Sequence, residues 1–174
     1  MKTLKTTLKA WPLIAMITVA LCFMTGFVSE YVFGIELDNQ ASIEQVRKMI
    51  TWLVRRLCGN AGWHWYFFKD LASLLWIICW LIVIVPILEE VVFRWLLWKL
   101  PRPKWPVVSA VTSSVLFSAA HYLQMPWPNN AFIALFFFGM AQCWLYKKTE
   151  RLWSPMLNHS LFNLTNLVLL FILP

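Results

Sequence analysis

Charge is scarce in this 174-residue chain: Asp, Glu, Lys and Arg together make up 13% of it, where an ordinary soluble domain carries about 25%. So little polar chemistry cannot clothe a water-soluble fold, and no stretch has the composition of an appended soluble domain. Aspartate is nearly missing. Asp38 and Asp70 are the only two and both are expected outside deep membrane, which removes any chemistry built on paired aspartates there. The four cysteines, Cys22, Cys58, Cys79 and Cys143, show no CxxC spacing and give neither a zinc site nor a disulfide framework; three of them lie in apolar stretches, as small hydrophobes. There is no HExxH and no GxSxG, so the helical zinc motif and the serine elbow are excluded too. Inverted repeats and paired Gly/Pro-broken helices are also absent, which counts against a proton-coupled carrier.

What fills the chain instead is apolar: 60% of it is hydrophobic and 17% aromatic. Apolar runs of eighteen or more residues recur with basic residues between them, the pattern of membrane-spanning helices. The net charge of +7 sits in short clusters at the ends of those runs, so the partner it implies is the lipid bilayer and not nucleic acid. The expected fold is all-α, a polytopic transmembrane helical bundle of five spans plus an interfacial amphipathic helix, in a single membrane domain over 1–174. The first span is expected at 11–33. It follows Lys2, Lys5 and Lys9 and, with no A-x-A-like site after it, is an uncleaved span and not a removed signal.

Residues 34–65 carry Glu36, Asp38, Glu44, Arg47, Lys48, Arg55 and Arg56 and cannot cross lipid cheaply. Within them Ile43, Val46, Met49, Ile50, Leu53, Val54 and Leu57 recur at helical spacing, which predicts a helix on the membrane surface over 40–58. The remaining four spans, over 66–174, form the expected catalytic core. The second, from Tyr66 to Trp98, is too long for a hydrocarbon core of about 30 Å and must tilt, bend at Pro86 or begin as an interfacial segment. Five spans put Lys2, Lys5, Lys9, Lys99, Arg102, Lys104, Lys147, Lys148 and Arg151 on one side. The positive-inside rule makes that side, with the N-terminus, cytoplasmic.

Against this background five ionisable residues stand out. Glu89, Glu90 and Arg94 interrupt one apolar helix, and each costs about 2.5–3.5 kcal/mol or more at a helix centre. Glu90 and Arg94 are four apart and predicted to pair; Glu89, turned about 100° away, is left for chemistry. Phe117 lies one turn before His121 on the same face, and His159 and Asn163 are likewise four apart. Counted from the basic turns at about 1.5 Å per residue, Glu89, His121, His159 and Asn163 lie about 15, 25, 12 and 18 Å deep. That spread permits convergence, with His121 the outlier.

Together these side chains cover the roles that hydrolysis of a peptide bond requires. Glu89 is the expected general base for a water, His121 its partner on that water, and His159 with Asn163 the donors to the developing oxyanion. A zinc ion held by Glu89, His121 and His159 is the alternative, because imidazole and carboxylate suit that metal; the expectation is that no cofactor is used. A non-enzymatic membrane protein that binds peptides, such as a bacteriocin-immunity factor, is also open at this point.

The motifs Glu89-Glu90 to Arg94, Phe117 to His121 and His159 to Asn163 resemble, in order, the EExxxR, FxxxH and HxxxN motifs of the CPBP family, also called the Abi or CAAX-protease family. The stretch Leu152-Trp153-Ser154-Pro155 is similar to it as well, and the resemblance covers about 75–170. It implies a glutamic-type intramembrane endopeptidase without a catalytic metal, with Glu89, His121, His159 and Asn163 catalytic and Glu90, Arg94 and Phe117 supporting. Its implied partner is a membrane protein or peptide substrate: a prenylated CAAX end, a bacteriocin leader, a regulator or a C-terminal sorting tail, the last favoured by the chain's small size. A bacterial inner membrane is the implied location. Two positions depart from the family pattern, Trp95 and Ser118, where glycine is common; both are expected to place larger side chains near the cavity.

Overall fold

The computed structural model describes residues 2–27, 40–59, 65–99, 106–123 and 131–172. All elements among them are helices: α1 (Lys2–Phe27), α2 (Gln40–Gly59), a long α3 over 65–99, α4 (Pro106–Tyr122), α5 (Ala131–Thr149) and α6 (Trp153–Ile172). An all-α bundle is the form lipid demands, because a helix satisfies its backbone polar groups internally. Two stretches, Lys2–Cys22 and Phe68–Trp98, are each long and apolar enough to cross a bilayer. Five of the helices fall where the spans were expected, although α1 begins nine residues before Trp11; the end of the expected first span, 28–33, and the links 100–105 and 124–130 lie outside the described residues. The helix expected over 40–58 is present as α2, Gln40–Gly59. Ile50 and Leu53 are its buried face, while Met49 and Val54 are exposed.

Pro86 shapes α3. The helix is α-helical over Trp65–Cys79, π-helical over Trp80–Ile84, α-helical over Val85–Glu90 and π-helical again over Val91–Lys99. Pro86 has no N–H to give, and just before it the Val85 N–H reaches five residues back to Trp80 O. The chain therefore passes the proline by widening its turn instead of breaking.

Packing draws α1 into the bundle. Ala10, Ile14 and Ala15 of α1 share one buried cluster with Phe117, Phe138, Leu145 and Phe162, the alanines letting backbones approach closely. Helices α4 and α5 pack tightly at Gly139, where an added Cβ would lie 3.0 Å from Ser114 Cβ and 3.2 Å from its Cα. A Gly139→Ala variant is expected to lose about 1–3 kcal/mol of stability by overpacking, seen as a lower melting temperature in detergent and partly restored by adding Ser114→Gly. Polar ties complete the seams: Ser113 Oγ donates to Phe93 O at 2.5 Å, Ser118 Oγ donates to Phe132 O, and Gln142 Nε2 donates to Asn158 Oδ1 at 2.8 Å.

The basic residues of the N-terminus and of the turns after α3 and α5 gather at one end of the bundle. The Thr7 and Ser154 hydroxyls, 2.6 Å apart, fasten the start of α1 to the start of α6. Trp98 Nε1 donates to Pro106 O at 3.2 Å and its ring meets Tyr146 at 5.4 Å, joining the end of α3 to the start of α4 and the end of α5. Lys2, Lys5, Lys9, Lys99, Lys147, Lys148 and Arg151 thereby share an end. At the other, Arg56 of α2 meets Asp70 of α3 at 2.6 Å.

Candidate active site

The site is built around α3, where consecutive carboxylates point in different directions. Glu90 and Arg94, one turn apart, are both completely buried, with Arg94 Nε 3.1 Å from Glu90 Oε2. That contact is close without being aligned, since Arg94 Nε, Arg94 Nη1 and Glu90 Oε2 have no hydrogen-bond partner. The attraction between opposite charges at this separation does not require alignment. Arg94 is further held by Nη2 donating to Gly139 O at 3.4 Å and by the Phe117 ring, 4.7 Å beneath its guanidinium.

Glu89 faces the histidines. Its Oε1 lies 3.4 Å from His121 Nε2 and its Oε2 3.5 Å from His159 Nε2. Both separations exceed an ordinary hydrogen bond and leave the carboxylate adjustable between two imidazoles. The other nitrogen of each ring is anchored. His121 Nδ1 sits 2.9 Å from Phe117 O, a carbonyl that can only accept, so Nδ1 carries the proton and Nε2 of the neutral ring presents its lone pair. His159 Nδ1 donates to Glu90 Oε1 at 2.9 Å. The structural carboxylate thus orients the histidine that meets the free one.

Phe117 is the spacer among these groups. It is fully buried, with ring centroids 4.5 Å from His121 and 5.9 Å from His159. Phe138 closes on His159 from another side at 5.0 Å.

Asn163 makes a different contact from the one its spacing with His159 suggests. Its Nδ2 donates to Leu81 O at 2.9 Å. That carbonyl is the one Pro86 leaves short: the π-helical donor five residues on would be Pro86 itself, and the Val85 N–H is given to Trp80 O. One Asn163 N–H fills the gap and a second remains for other use.

The spread in depth expected for the four residues therefore does not keep His121 away. Trp95 does not crowd the site. It is exposed on the outward face of α3, and Ser118 is turned into its bond with Phe132 O, so neither residue narrows the space as their size suggested. Sequence reasoning passed over Gln142 and Asn158, both completely buried, the second beside His159; the desolvation cost that singled out Glu89 was a signal for them too. Among the described residues no set of three or more His, Cys, Asp or Glu side chains is arranged to hold a metal ion.

A family model described as type II CAAX prenyl endopeptidase Rce1-like matches residues 71–165, a span that holds all three motifs. The chain belongs to this family. No curated protein and no solved structure matches it. Membership makes the chain an integral membrane protein and an intramembrane protease whose substrate is a membrane-associated peptide, and the non-enzymatic reading loses its ground.

Proposed function

We propose that this CAAX-endopeptidase relative hydrolyses a peptide bond with a water activated by Glu89. The observation that supports it is the single carboxylate set between two imidazoles, Glu89 Oε1 toward His121 Nε2 and Oε2 toward His159 Nε2. A water in front of Oε1 donates one hydrogen to His121 Nε2 and yields the other as a proton to Glu89 while its oxygen attacks the scissile carbonyl. The carbonyl becomes an oxyanion that accepts from His159 Nε2–H and from the second N–H of Asn163. Collapse breaks the C–N bond, and the leaving amine takes the proton from Glu89. In this scheme His159 donates through both nitrogens, so it is the imidazolium. Its charge and that of Arg94 then balance Glu89 and Glu90.

Glu90, Arg94 and Phe117 are supporting groups that aim His159 and His121. No step calls for a metal. The gathering of Lys2, Lys147 and Arg151 at one end favours a cytoplasmic N-terminus in a bacterial inner membrane. A substrate presented within the bilayer, such as a sorting tail, fits a carboxylate held between two imidazoles inside a helical bundle.

The test is cleavage of a co-expressed membrane substrate and of the same substrate by purified protein. His159→Ala is expected to slow cleavage about a hundred- to thousand-fold, the cost of one oxyanion donor, and His121→Ala about a hundredfold, while a strong chelator leaves the wild type unaffected. Loss of activity to the chelator, restored by zinc, would overturn the metal-free scheme in favour of a zinc ion at Glu89, His121 and His159.

A further inference from the structure

Burial around the reaction centre is one-sided. Away from the basic end, α3 runs Trp98, Arg94, Glu90, Glu89; α4 runs Ala110, Ser114, Phe117, His121; α5 runs Tyr146, Gln142, Gly139; and α6 runs Ser154, Asn158, His159, Asn163. Every polar side chain on the basic side of Glu89 in this series is sealed. Arg94, Glu90, Ser114, Gln142, Asn158 and Ser154 are all completely buried. The seal is also bonded across helices, through the Gln142–Asn158 amide pair, the Arg94–Gly139 contact, the Trp98–Pro106 bond and the Thr7–Ser154 bond.

Accessibility returns only at the far edge of the cluster. The side chain of His159 is 5% exposed, that of Glu89 21% and that of His121 25%. His121 stands one residue before the end of α4, and Leu123 just beyond it is 81% exposed. In the same half of the bundle an open groove of about 340 Å³ lies between α2 and α3, lined by Met49, Trp76, Ile77, Trp80 and Leu81, and Leu81 O is the acceptor for Asn163.

We infer that the reaction centre opens on the face opposite the basic turns, and that the scissile bond and the attacking water reach Glu89 and His121 from that face. The inference rests on the proposed roles of Glu89 and His121. With the basic end in the cytoplasm, it selects the substrate class: a membrane-anchored peptide whose cleavage site lies in the outer half of the bilayer or just beyond it, and not a chain end displayed in the cytoplasm.

Single-cysteine chains test this in intact cells, the four native cysteines being replaced by serine or alanine. Three positions are compared with a membrane-impermeant maleimide added before and after the membrane is opened: His121→Cys, Leu123→Cys and Lys147→Cys. Retained cleavage by the Leu123→Cys and Lys147→Cys chains shows that the background folds. The expected result is label at His121→Cys and Leu123→Cys from one side, and label at Lys147→Cys only from the other. Label at His121→Cys from the Lys147 side would overturn the inference, and so would a His121→Cys chain that no reagent reaches while Leu123→Cys is labelled. Labelling needs no catalysis, so a wrong-side result leaves the role of Glu89 untouched, and a failure of that role leaves the labelling pattern unchanged.

Discussion

Replacing Glu89 by Gln is expected to lower turnover about a hundred- to ten-thousand-fold, the range a positioned general base contributes, with little change in melting temperature. Gln keeps the shape and the hydrogen-bonding reach of Glu but cannot take a proton from water. The position tolerates the exchange structurally because Glu89 is partly exposed, its Oε2 has no hydrogen bond to lose, and its nearest partners lie at 3.4 and 3.5 Å. The two readouts must therefore separate: rate of substrate cleavage falls, thermal unfolding in detergent does not. A Glu89→Gln protein that cleaves at the wild-type rate would remove Glu89 from the mechanism. One that also melts early would mean that the carboxylate is a structural partner of the histidines.

That separation follows from a feature legible in the sequence. Two adjacent glutamates on one helix cannot face the same way, and the arginine four residues on identifies which of them is paired. The structure keeps that division, with Glu90 and Arg94 buried together and Glu89 turned toward His121 and His159. The histidines were legible as polar residues with no place in lipid. Their mutual distances were not, because depth along a helix says nothing of its inclination. Nor did spacing reveal the bond from Glu90 to His159 Nδ1, which couples residues 69 positions apart.

Asn163 shows where local reasoning stops. Its four-residue spacing from His159 puts both on one face of α6, but the partner of its amide is decided by a carbonyl on α3 that Pro86 leaves short of a donor. In sequence a bend at Pro86 is one of three ways to fit the long span, beside a tilt and an interfacial start; which backbone group the proline orphans depends on the helix widening to π geometry there. For the fold, hydropathy located the helices, and their alternation groups the basic residues of the N-terminus and of two turns on one side, with Arg47, Lys48, Arg55, Arg56 and Lys69 on the other. The Thr7–Ser154 and Trp98–Pro106 bonds draw the N-terminal side together. The close approach at Gly139 and the Gln142–Asn158 pair are long-range, and a single sequence carries no signal of which helix faces which.

Arg94→Met is expected to have the largest effect on stability, a loss of about 3 kcal/mol, because it removes the cation beside the completely buried Glu90 and leaves His159 Nδ1–H as the one polar partner of that carboxylate among the described residues. Methionine fills much of the stem volume and keeps contact with Phe117, so the loss reports charge more than packing. A double variant, Glu90→Gln with Arg94→Met, removes both charges and is expected to recover most of the melting temperature, since replacing a whole buried pair by neutral groups is far cheaper than breaking it. It also has a functional readout. The amide oxygen that Glu90→Gln introduces can still accept the proton on His159 Nδ1, which lies 2.9 Å from Glu90 Oε1 in the wild type, so the orientation of His159 survives while its nearby negative charge is lost. If His159 acts as an imidazolium donor, the double variant folds yet cleaves slowly. If it cleaves at the wild-type rate, Glu90 only aims the ring. A double variant as unstable as Arg94→Met would trace the loss to the guanidinium's seat over Phe117 and its bond to Gly139 O, and the ion pair would not be what holds α3 in place.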